Sequence, residues 1–463
     1  TATLSGQNSM VYSGNAATTA DLYAGDSTIK VVINSNGKIA NLPVNFTLEG
    51  GDYTWNTTDG KAPVNVGPYT ISLTQAGLAK IQELINGAVG EGNVALTTTP
   101  ANAGTANFAI TQAVAPNVQL YGNEKSTYNG QAVNFVPTNT ETKKNYGFNN
   151  VENLTIPTLT SDDFEWVDKD GNVVTAPVNV GTYYLQLNAK GEAAIADANP
   201  DYSFVDQNGK STISGMITYT VAPANLSLTV SGTASKVYNG QDAKITQKQI
   251  DDGEIKVVWN TSDDAPVLKY NFTPDDFEVV DKNGQPAVHA NAGIDNQGQT
   301  LIAKDNPYYV RLTDAAIAKV KALANASNYN ITQAADSGEY LIYAQKAELT
   351  LTGSQTTTYG TSMPLDPSAY QIDFSNWSGS APKPQITLEN GDIYVDTNGN
   401  GQEDDILPVN VGEYKVRIAK QLADKLQKLY PDYDFSGSIN AQAAENDKID
   451  FSTVVVPKHD TAS

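Results

Sequence analysis

The segment with the clearest potential for chemistry is residues 396–405, which read Asp-Thr-Asn-Gly-Asn-Gly-Gln-Glu-Asp-Asp. Oxygen-bearing side chains at positions 1, 3, 5 and 9, with glycine at position 6, are typical of a loop that wraps a hard cation. The pattern predicts a calcium site whose ligands are Asp396, Asn398, Asn400 and Asp404. Position 12, where such loops supply a bidentate carboxylate, is Leu407, so weak affinity is expected unless Asp405 or a neighbouring segment completes the shell. The alternative is a hairpin turn that has simply been lengthened.

Two pairs of adjacent acids invite comparison with the carboxylates of glycosidases. Asp162-Asp163 and Asp275-Asp276 each precede a Phe-Glu dipeptide. Glycosidase carboxylates must face each other across a sugar, whereas adjacent residues on a strand point to opposite faces. The same pair at the same place in two parts of the chain therefore favours a structural or capping role.

No other combination of residues predicts catalysis. The two histidines, His289 and His459, lie far apart in sequence and have no metal-binding or triad-like companions nearby. We therefore predict a chain without catalytic residues that is not an enzyme.

Composition narrows the class of partner. The 463-residue chain has 51 acidic and 29 basic residues, a formal net charge of -22 and no cysteine. Such a charge repels phosphate backbones and excludes nucleic acid as a partner, and the fold must depend on packing and hydrogen bonds without disulfides. No run approaches the roughly 18 apolar residues that a membrane-spanning helix needs. We expect a monomer without membrane insertion.

A strand-to-helix pattern recurs four times and organises the chain. A tyrosine is followed by apolar residues two and four positions later, on one face of a strand, and by another twelve positions later, in an amphipathic helix. The four copies are Tyr69, Ile71, Leu73, Ile81; Tyr183, Leu185, Leu187, Ile195; Tyr308, Val310, Leu312, Val320; and Tyr414, Val416, Ile418, Leu426. The pattern predicts an array of similar modules, which is typical of a protein that spans or binds.

Two further markers support four modules. Tyr-x-Gly begins at Tyr12, Tyr128 and Tyr238, and a shortened copy is Tyr359-Gly360. The element Pro-Val-Asn-Val-Gly is missing from the third repeat and lies at 63–67, 177–181 and 408–412. Strand-like runs that end in short Pro/Ala segments set the boundaries, which gives modules at 1–115, 116–223, 224–346 and 347–463.

Each module is predicted to contain several strands and one helix. The helices are expected near 75–86, 192–198, 314–326 and 420–429. Thr74 and Thr313 stand where N-caps are wanted. A mostly antiparallel sheet crossed by one helix is a β-rich, β-grasp-like α+β module. Because the joints between modules are short, we expect the four modules to lie nearly end to end in an elongated rod.

The hairpin before the strand tyrosine varies most in length. It is longest in the third module, where the extra residues include 293–305. Insertions in repeat arrays collect on one face that is often the binding face, which favours a ligand-contacting loop. Lengthening a surface loop costs little, so a tolerated insertion is the alternative.

The order of motifs within a module resembles a known family of repeats. Tyr-Asn-Gly, Asp-Asp-Phe-Glu with a Lys-Asp-Gly turn, Val-Asn-Val-Gly-Thr-Tyr, a short helix, Pro-Asp-Tyr-x-Phe and a closing Thr-Val-x-Pro-Ala follow one another, best in the second and fourth modules. This order resembles the MBG-type and mucus-binding-type repeats of cell-surface adhesins from lactic acid bacteria. The resemblance covers essentially the whole chain. It implies an extracellular protein of a Gram-positive bacterium that is anchored to the cell wall.

The resemblance also implies a function, namely adhesion to host mucin or to other glycans and glycoproteins by a non-enzymatic repeat region that is also an extended stalk. It predicts no ligand-binding residues, because no short motif of the family marks a binding site. The alternatives are structural spacer repeats that display another domain, and an accessory region of a wall-associated glucan-acting enzyme. Residues 1–6 resemble the starts of later modules, so we expect a fragment of a longer protein whose targeting and anchoring segments lie elsewhere.

Overall fold

The computed structural model describes residues 1–261, 264–292, 308–334, 338–356, 364–375, 377, 383–408, 410–436 and the strand Lys448–Ile449. The chain divides into two compact units, Thr1–Ala222 and Pro223–Ser463. Each unit contains two of the predicted modules. Strands dominate both units, and the helices are few and mostly short.

Module 1 has two sheets and two helices. The small sheet is antiparallel and contains β1 (Ala2–Ser5), β3 (Lys30–Ile33) and β4 (Asn45–Phe46). The larger sheet has one parallel pair, between its first two strands, and runs in the order β2 (Gln7–Val11), β7 (Thr105–Thr111), β6 (Gly67–Leu73), β5 (Tyr53–Trp55). The helices are α1 (Thr19–Tyr23) and α2 (Gln75–Val89). Ile71 on the larger sheet and Ile81 on α2 belong to one buried core.

Module 2 repeats this plan. Its small sheet contains β9 (Val118–Tyr121), β11 (Gly147–Asn149) and β15 (Ile213–Gly215). Its larger sheet again begins with a parallel pair and runs β10 (Asn123–Thr127), β16 (Ile217–Ala222), β13 (Gly181–Leu187), β12 (Phe164–Val167). A separate parallel pair joins β8 (Ala113–Val114) to β14 (Tyr202–Ser203). The helical elements are the 3-10 turn η1 (Ser161–Asp163) and α3 (Ala189–Ala198).

Module 3 merges its strands into one sheet through a long first strand, β17 (Ala224–Val237). The first part of β17 pairs with β18 (Ile255–Thr261) and, in parallel, with β21 (Tyr329–Gln333). Its second part leads into the order β22 (Gly338–Tyr343), β20 (Tyr308–Leu312), β19 (Phe277–Val280). The helical elements are α4 (Gln247–Asp251), η2 (Pro274–Asp276), α5 (Asp314–Lys321) and η3 (Ala326–Asn328).

Module 4 has three described strand groups. They are the antiparallel pair β24 (Glu348–Gly353) and β25 (Tyr370–Ser375); the antiparallel group β26 (Ile393–Asp396), β27 (Tyr414–Ile418), β29 (Lys448–Ile449); and the parallel pair β23 (Gln345–Lys346) and β28 (Tyr433–Asp434). Its helical elements are η4 (Pro367–Ala369) and α6 (Lys420–Leu429). Leu422 and Leu426 of α6 pack with Val416 in the core.

The four predicted helices are present, with some ends shifted. α2 continues to Val89, α3 already begins at Ala189, and α5 ends at Lys321 before a separate 3-10 turn. The expectation of one helix per module is too low for modules 1 and 3, which also contain the short helices α1 and α4. These two helices span barely more than one turn each, so hydrophobic periodicity could not reveal them.

The predicted N-caps are confirmed. Thr74 Oγ1 accepts a hydrogen bond from Gly77 N, and Thr313 Oγ1 accepts one from Ala316 N, each at 3.0 Å. Each bond satisfies one of the backbone donors that the first turn of a helix leaves without a partner.

The tyrosines of the recurring pattern make equivalent hydrogen bonds. In modules 1, 2 and 4 the tyrosine hydroxyl donates to the backbone carbonyl of the asparagine four residues earlier. In module 3 it donates to the carbonyl of an asparagine farther upstream. The donor and acceptor pairs are Tyr69 and Asn65 (2.7 Å), Tyr183 and Asn179 (2.7 Å), Tyr308 and Asn291 (2.9 Å), and Tyr414 and Asn410 (2.9 Å). This equivalence supports the interpretation of the chain as four versions of one module.

The hydrogen bond of Tyr308 reveals a counterpart of the Pro-Val-Asn-Val-Gly element in module 3. The third module lacks that sequence, but Ala290, Asn291 and Ala292 take its place, and the carbonyl of Asn291 accepts the hydrogen bond from the tyrosine. Alanine replaces valine on both sides of the asparagine, which hides the element from a motif comparison. The predicted insertion at 293–305 and Tyr359-Gly360 lie outside the described residues.

The structure confirms a β-rich α+β fold built of repeated modules. It also shows parallel strand pairs and a second sheet in modules 1 and 2, where a single, mostly antiparallel sheet was expected. The parallel pair in each larger sheet of modules 1 and 2 arises because the chain passes from the small sheet to the larger one and runs there beside the last strand. The β-grasp-like description and the rod arrangement stay predictions. None of the described helices combines the length and apolar character that crossing a bilayer requires.

Candidate functional site

The loop at 396–405 begins with a buried ion pair. Asp396, at the end of β26, accepts a hydrogen bond from Arg417 Nε at 2.8 Å, and the two side chains are 1% and 6% exposed. The backbone amides of Asn400 and Gly401 donate to its two carboxylate oxygens at 3.0 Å and 2.9 Å. Burial alone would raise the pKa of Asp396, but the bonds from Arg417 and from these amides outweigh it and hold the pKa below its usual value.

The other three predicted ligands bond within the loop. Asn398 Nδ2 donates to Asp404 Oδ2 at 3.0 Å. Asn400 Oδ1 accepts from Gln402 N, and Asp404 Oδ1 accepts from Ile406 N, both at 3.0 Å. The structure thus brings the predicted side chains into one loop and gives each a protein partner.

A further acid of this loop supports the following helix. Helix α6 starts after Ala419, which has no side chain that can cap it. Glu403 Oε2 instead accepts a hydrogen bond from Lys420 N at 2.9 Å. A carboxylate at this end of a helix also interacts favourably with the helix dipole. The lengthened hairpin therefore has a structural use in module 4.

Calcium binding by this loop stays a prediction. Asp396 would serve as a calcium ligand only if the guanidinium of Arg417 gave up its position beside the carboxylate, because the two cations would repel each other. Within the part of the chain that the structure describes, no cluster of three or more carboxylate or imidazole side chains is arranged to hold a metal ion.

The paired acids have the structural role that the sequence favoured. Asp163 and Asp276 are buried, and their carboxylates accept from the backbone amides of Thr160 and Thr273 at 2.7 Å and 2.8 Å. Their backbone carbonyls accept from the residue that starts the following helix. Each aspartate therefore ties a 3-10 turn to a helix, and neither pair of acids forms a glycosidase-like arrangement.

Equivalent aspartates in the other two modules escaped the sequence analysis. Asp52 and Asp392 are buried and accept from the backbone amides of Glu49 and Glu389, each at 2.8 Å. They stand singly rather than in pairs, so the Asp-Asp signal is missing. Their position directly before a strand, as in modules 2 and 3, is the signal that could have identified them.

A helix lysine faces this aspartate in three modules. The pairs are Lys80 and Asp52 (2.9 Å), Lys319 and Asp276 (3.2 Å), and Lys425 and Asp392 (3.2 Å). Module 2 has Ala194 at the corresponding position of α3. In module 3 the hydrogen bond to Asp276 raises the pKa of Lys319. These ion pairs recur with the fold and stabilise the helix on its sheet, which is a structural use of charge.

In the described part of the chain, His289 contacts Gly240 and Asp242, and its Nδ1 lies 3.8 Å from Asp242 Oδ1. Its Nδ1 lies 3.1 Å from the carbonyl oxygen of Gly240, and its backbone amide donates to Asp242 at 2.8 Å. His459 lies outside the described residues.

The larger sheet of module 1 carries a shallow polar groove of about 520 Å³. Outward-facing residues of four neighbouring segments line it, among them Gln7, Ser9, Asn56, Thr70 and Asn107. Asn56 Nδ2 donates to Thr70 Oγ1 at 2.6 Å, which fixes one wall of the groove. The sequence analysis named no ligand site, because serine, threonine and asparagine on a strand face are also ordinary surface residues.

Charge distinguishes this groove from a groove in module 2 that lies between the hairpin at 168–179 and β13. Asp26 is the charged residue that lines the module 1 groove. The module 2 groove is lined instead by the adjacent opposite charges of Asp168 and Lys169, together with Tyr183 and Tyr184. The module 1 groove therefore presents mainly amide and hydroxyl groups, which suit a ligand that itself carries little charge.

Comparison with known proteins finds a matching family model and a similar solved structure. The model of the MBG domain matches it four times, at residues 1–112, 115–223, 225–344 and 346–446. No curated protein matches the chain. A solved structure of a cell surface adhesin from Lactobacillus reuteri is similar at 36% sequence identity, covers 22% of this chain and 93% of its own, and has a TM-score of 0.18. Four consecutive matches that together span most of the sequence show that the chain belongs to the MBG domain family.

Proposed function

We propose that this chain is the non-enzymatic repeat region of a bacterial cell-surface adhesin, which binds glycans of mucus or other glycoproteins and acts as an extended stalk. The observation that carries the proposal is the fourfold match to the MBG domain, together with the equivalent tyrosine hydrogen bond in every module. In this proposal the protein is extracellular and is anchored to the cell wall.

The uses of the acidic residues support a non-enzymatic role. Asp163 and Asp276 are bonded to backbone amides, and Asp396 is paired with Arg417. A catalytic carboxylate must be able to reach a substrate and change its protonation state. These carboxylates are buried, and their hydrogen bonds stabilise local structure.

The module 1 groove is the surface that best fits a glycan in this proposal. Its amide and hydroxyl groups can exchange hydrogen bonds with sugar hydroxyls. Asn107 and Gln7 are exposed and line the groove. The formal charge of -22 on the chain disfavours sialylated or sulfated ligands at long range, so neutral glycans are the class of ligand we expect.

Binding to immobilised mucin and to a glycan array tests this proposal with the full chain. Neutral glycans should bind more strongly than their sialylated counterparts, and the difference should grow at low salt because charge repulsion is less screened. Asn107→Ala should weaken binding about tenfold, if the amide makes one or two hydrogen bonds to sugar.

Asn123→Ala is the matched control, because Asn123 is an exposed asparagine on the corresponding sheet of module 2. It should leave binding unchanged. Equal loss in both variants would remove the module 1 groove from the proposal. A chain that binds no mucin or glycan at any salt concentration would leave only the stalk role.

A further inference from the structure

Modules 1 and 2 meet through two side chains that follow the helix of module 2. Tyr202 packs edge-to-face against Tyr12 of module 1, with ring centroids 5.3 Å apart and an interplanar angle of 78°. Its neighbour Asp201 accepts a hydrogen bond through Oδ1 from the backbone amide of Val66 of module 1 at 2.7 Å. Tyr12 belongs to the Tyr-x-Gly marker, and Val66 belongs to the Pro-Val-Asn-Val-Gly element.

The chain that leaves module 1 becomes part of module 2 at the same place. β8 pairs in parallel with β14, which contains Tyr202. Ala113 N donates to Asp201 O at 3.1 Å, and Ala115 N donates to Ser203 O at 2.8 Å. The connecting segment is therefore a strand of the next module and not a flexible linker.

Modules 3 and 4 meet in the same way with different residues. Tyr433 packs edge-to-face against Tyr238 at 5.5 Å and 76°. Asp432 Oδ1 accepts from the backbone amide of Ala292 at 2.8 Å. β23 pairs in parallel with β28, and Gln345 N donates to Asp432 O at 3.0 Å. Ala292 lies in the altered third copy of the Pro-Val-Asn-Val-Gly element. The altered copy therefore still donates a backbone amide to the aspartate, although alanine replaces valine.

Both joints bury groups that water would otherwise solvate. Desolvation, with a contribution from the Asp432 charge, raises the pKa of the Tyr238 hydroxyl. Tyr238 also packs against the hydrophobic core of module 4. A hydrogen bond to a carboxylate is stronger than one between neutral groups, and an aromatic pair adds to the area it buries. The two joints lie in separate compact units and share no residue, so their common geometry is two independent observations.

We propose that these contacts form a module-to-module recognition joint. The receiving surface consists of the tyrosine of Tyr-x-Gly and the backbone amide of the residue after the asparagine in the Pro-Val-Asn-Val-Gly element or its altered third copy. Its partner is the Asp-Tyr tip after the helix of the following MBG module. The joint fixes the angle between the two modules. It is also directional, because the earlier module supplies the receiving surface and the following module supplies the Asp-Tyr tip. This inference deepens the stalk part of the proposed function and does not depend on glycan binding.

Distance measurement between spin labels in the full chain tests the joint. The chain has no cysteine, so Glu83→Cys and Ala193→Cys place a single label on α2 and another on α3. A fixed joint predicts one narrow distance distribution. Asp201→Ala combined with Tyr202→Ala should broaden that distribution at least twofold. Tyr12→Ala, on the opposite side of the joint, should broaden it as well. A distribution that is already broad in the parent, or that no variant changes, would overturn the proposal.

Hydrogen exchange provides the second measurement and its own internal control. Asp201→Ala should accelerate exchange in the peptide that contains Val66 about tenfold and leave the peptide that contains Ala292 unchanged. Asp432→Ala should have the reverse effect. Asp197→Ala, at an exposed position of α3, should alter neither peptide. Unchanged exchange at Val66 in Asp201→Ala would contradict the joint. Because neither measurement reads ligand binding, failure of the joint and failure of the adhesin proposal can be told apart.

Discussion

At the scale of single residues, the recurring feature is a buried aspartate directly before a strand, whose backbone carbonyl accepts a hydrogen bond from the N-cap residue of the module helix. Asp52, Asp163, Asp276 and Asp392 all have this position. Three of these aspartates each pair with a lysine of the module helix. These lysines are partly exposed, and the side chain of Lys319, for example, is 54% exposed. Removing the carboxylate leaves a partly buried backbone amide without its acceptor, whereas removing the lysine leaves a carboxylate that is still hydrogen-bonded. The aspartate should therefore matter more than its ion pair.

Module 3 offers the comparison. Asp276→Ala should lower the free energy of unfolding by about 2–3 kcal/mol, because the amide of Thr273 loses its acceptor. Lys319→Ala should lower it by less than about 1 kcal/mol, because exposed ion pairs are screened by solvent. Denaturant unfolding, followed through hydrogen exchange in α5, measures both. Equal losses in the two variants would show that the ion pair, and not the backbone contact, holds the turn.

The same aspartate predicts a dependence on pH. Burial would raise the pKa of Asp276, but the Thr273 amide and Lys319 lower it overall. A carboxyl whose pKa is lowered by folding contributes stability above its unfolded pKa of about 4 and loses it as the pH falls through the folded pKa. The unfolding temperature should therefore fall from about pH 5 to about pH 3. Asp276→Asn should show a shallower fall. Parallel curves for parent and variant would exclude Asp276 as a contributor.

At the scale of elements, the lengthened hairpin of module 4 shows how one segment can serve two neighbours. Its first residue, Asp396, is held by Arg417 on β27, and Glu403 supports the start of α6. The short turns of modules 2 and 3 use their aspartates, Asp168 and Asp281, only to close the turn itself. The extra length in module 4 therefore adds contacts between the hairpin and the helix.

Removal of Arg417 separates the calcium interpretation from the structural one. If the loop binds calcium, the ion competes with the guanidinium, so calcium should raise the unfolding temperature of Arg417→Ala more than that of the parent. Asp404→Ala should abolish this effect. Affinity in the millimolar range is expected from the incomplete ligand set. No calcium-dependent change in either protein would reject calcium and leave the lengthened hairpin as the explanation.

At the scale of the whole molecule, the sequence predicted the four modules, the strand that contains each recurring tyrosine, and the helix that follows. These features depend on residues close together in sequence, and their periodicity records them directly. The joints depend on contacts such as Asp201 with Val66, which lie 135 residues apart. Local patterns carry no information about such partners, or about which strand runs beside which. The parallel strand pairs and the joints between modules could therefore not be predicted from the sequence.

The candidate site was less predictable than the fold. The loop at 396–405 was identified as a segment, but its periodic oxygen atoms gave no sign that Arg417, at a distance of 21 residues, would pair with Asp396. The module 1 groove combines residues from strands that are remote in sequence, so only the folded chain brings Gln7 and Asn107 together.

Small-angle scattering of the full chain tests the central claim, a stalk of four modules joined in series. A single compact globule of this length would have a radius of gyration of about 23 Å. The stalk predicts a clearly larger radius and a maximum dimension well above roughly 100 Å, and Asp201→Ala with Asp432→Ala should broaden the range of shapes without unfolding the modules. A radius near that of the compact globule would contradict the account.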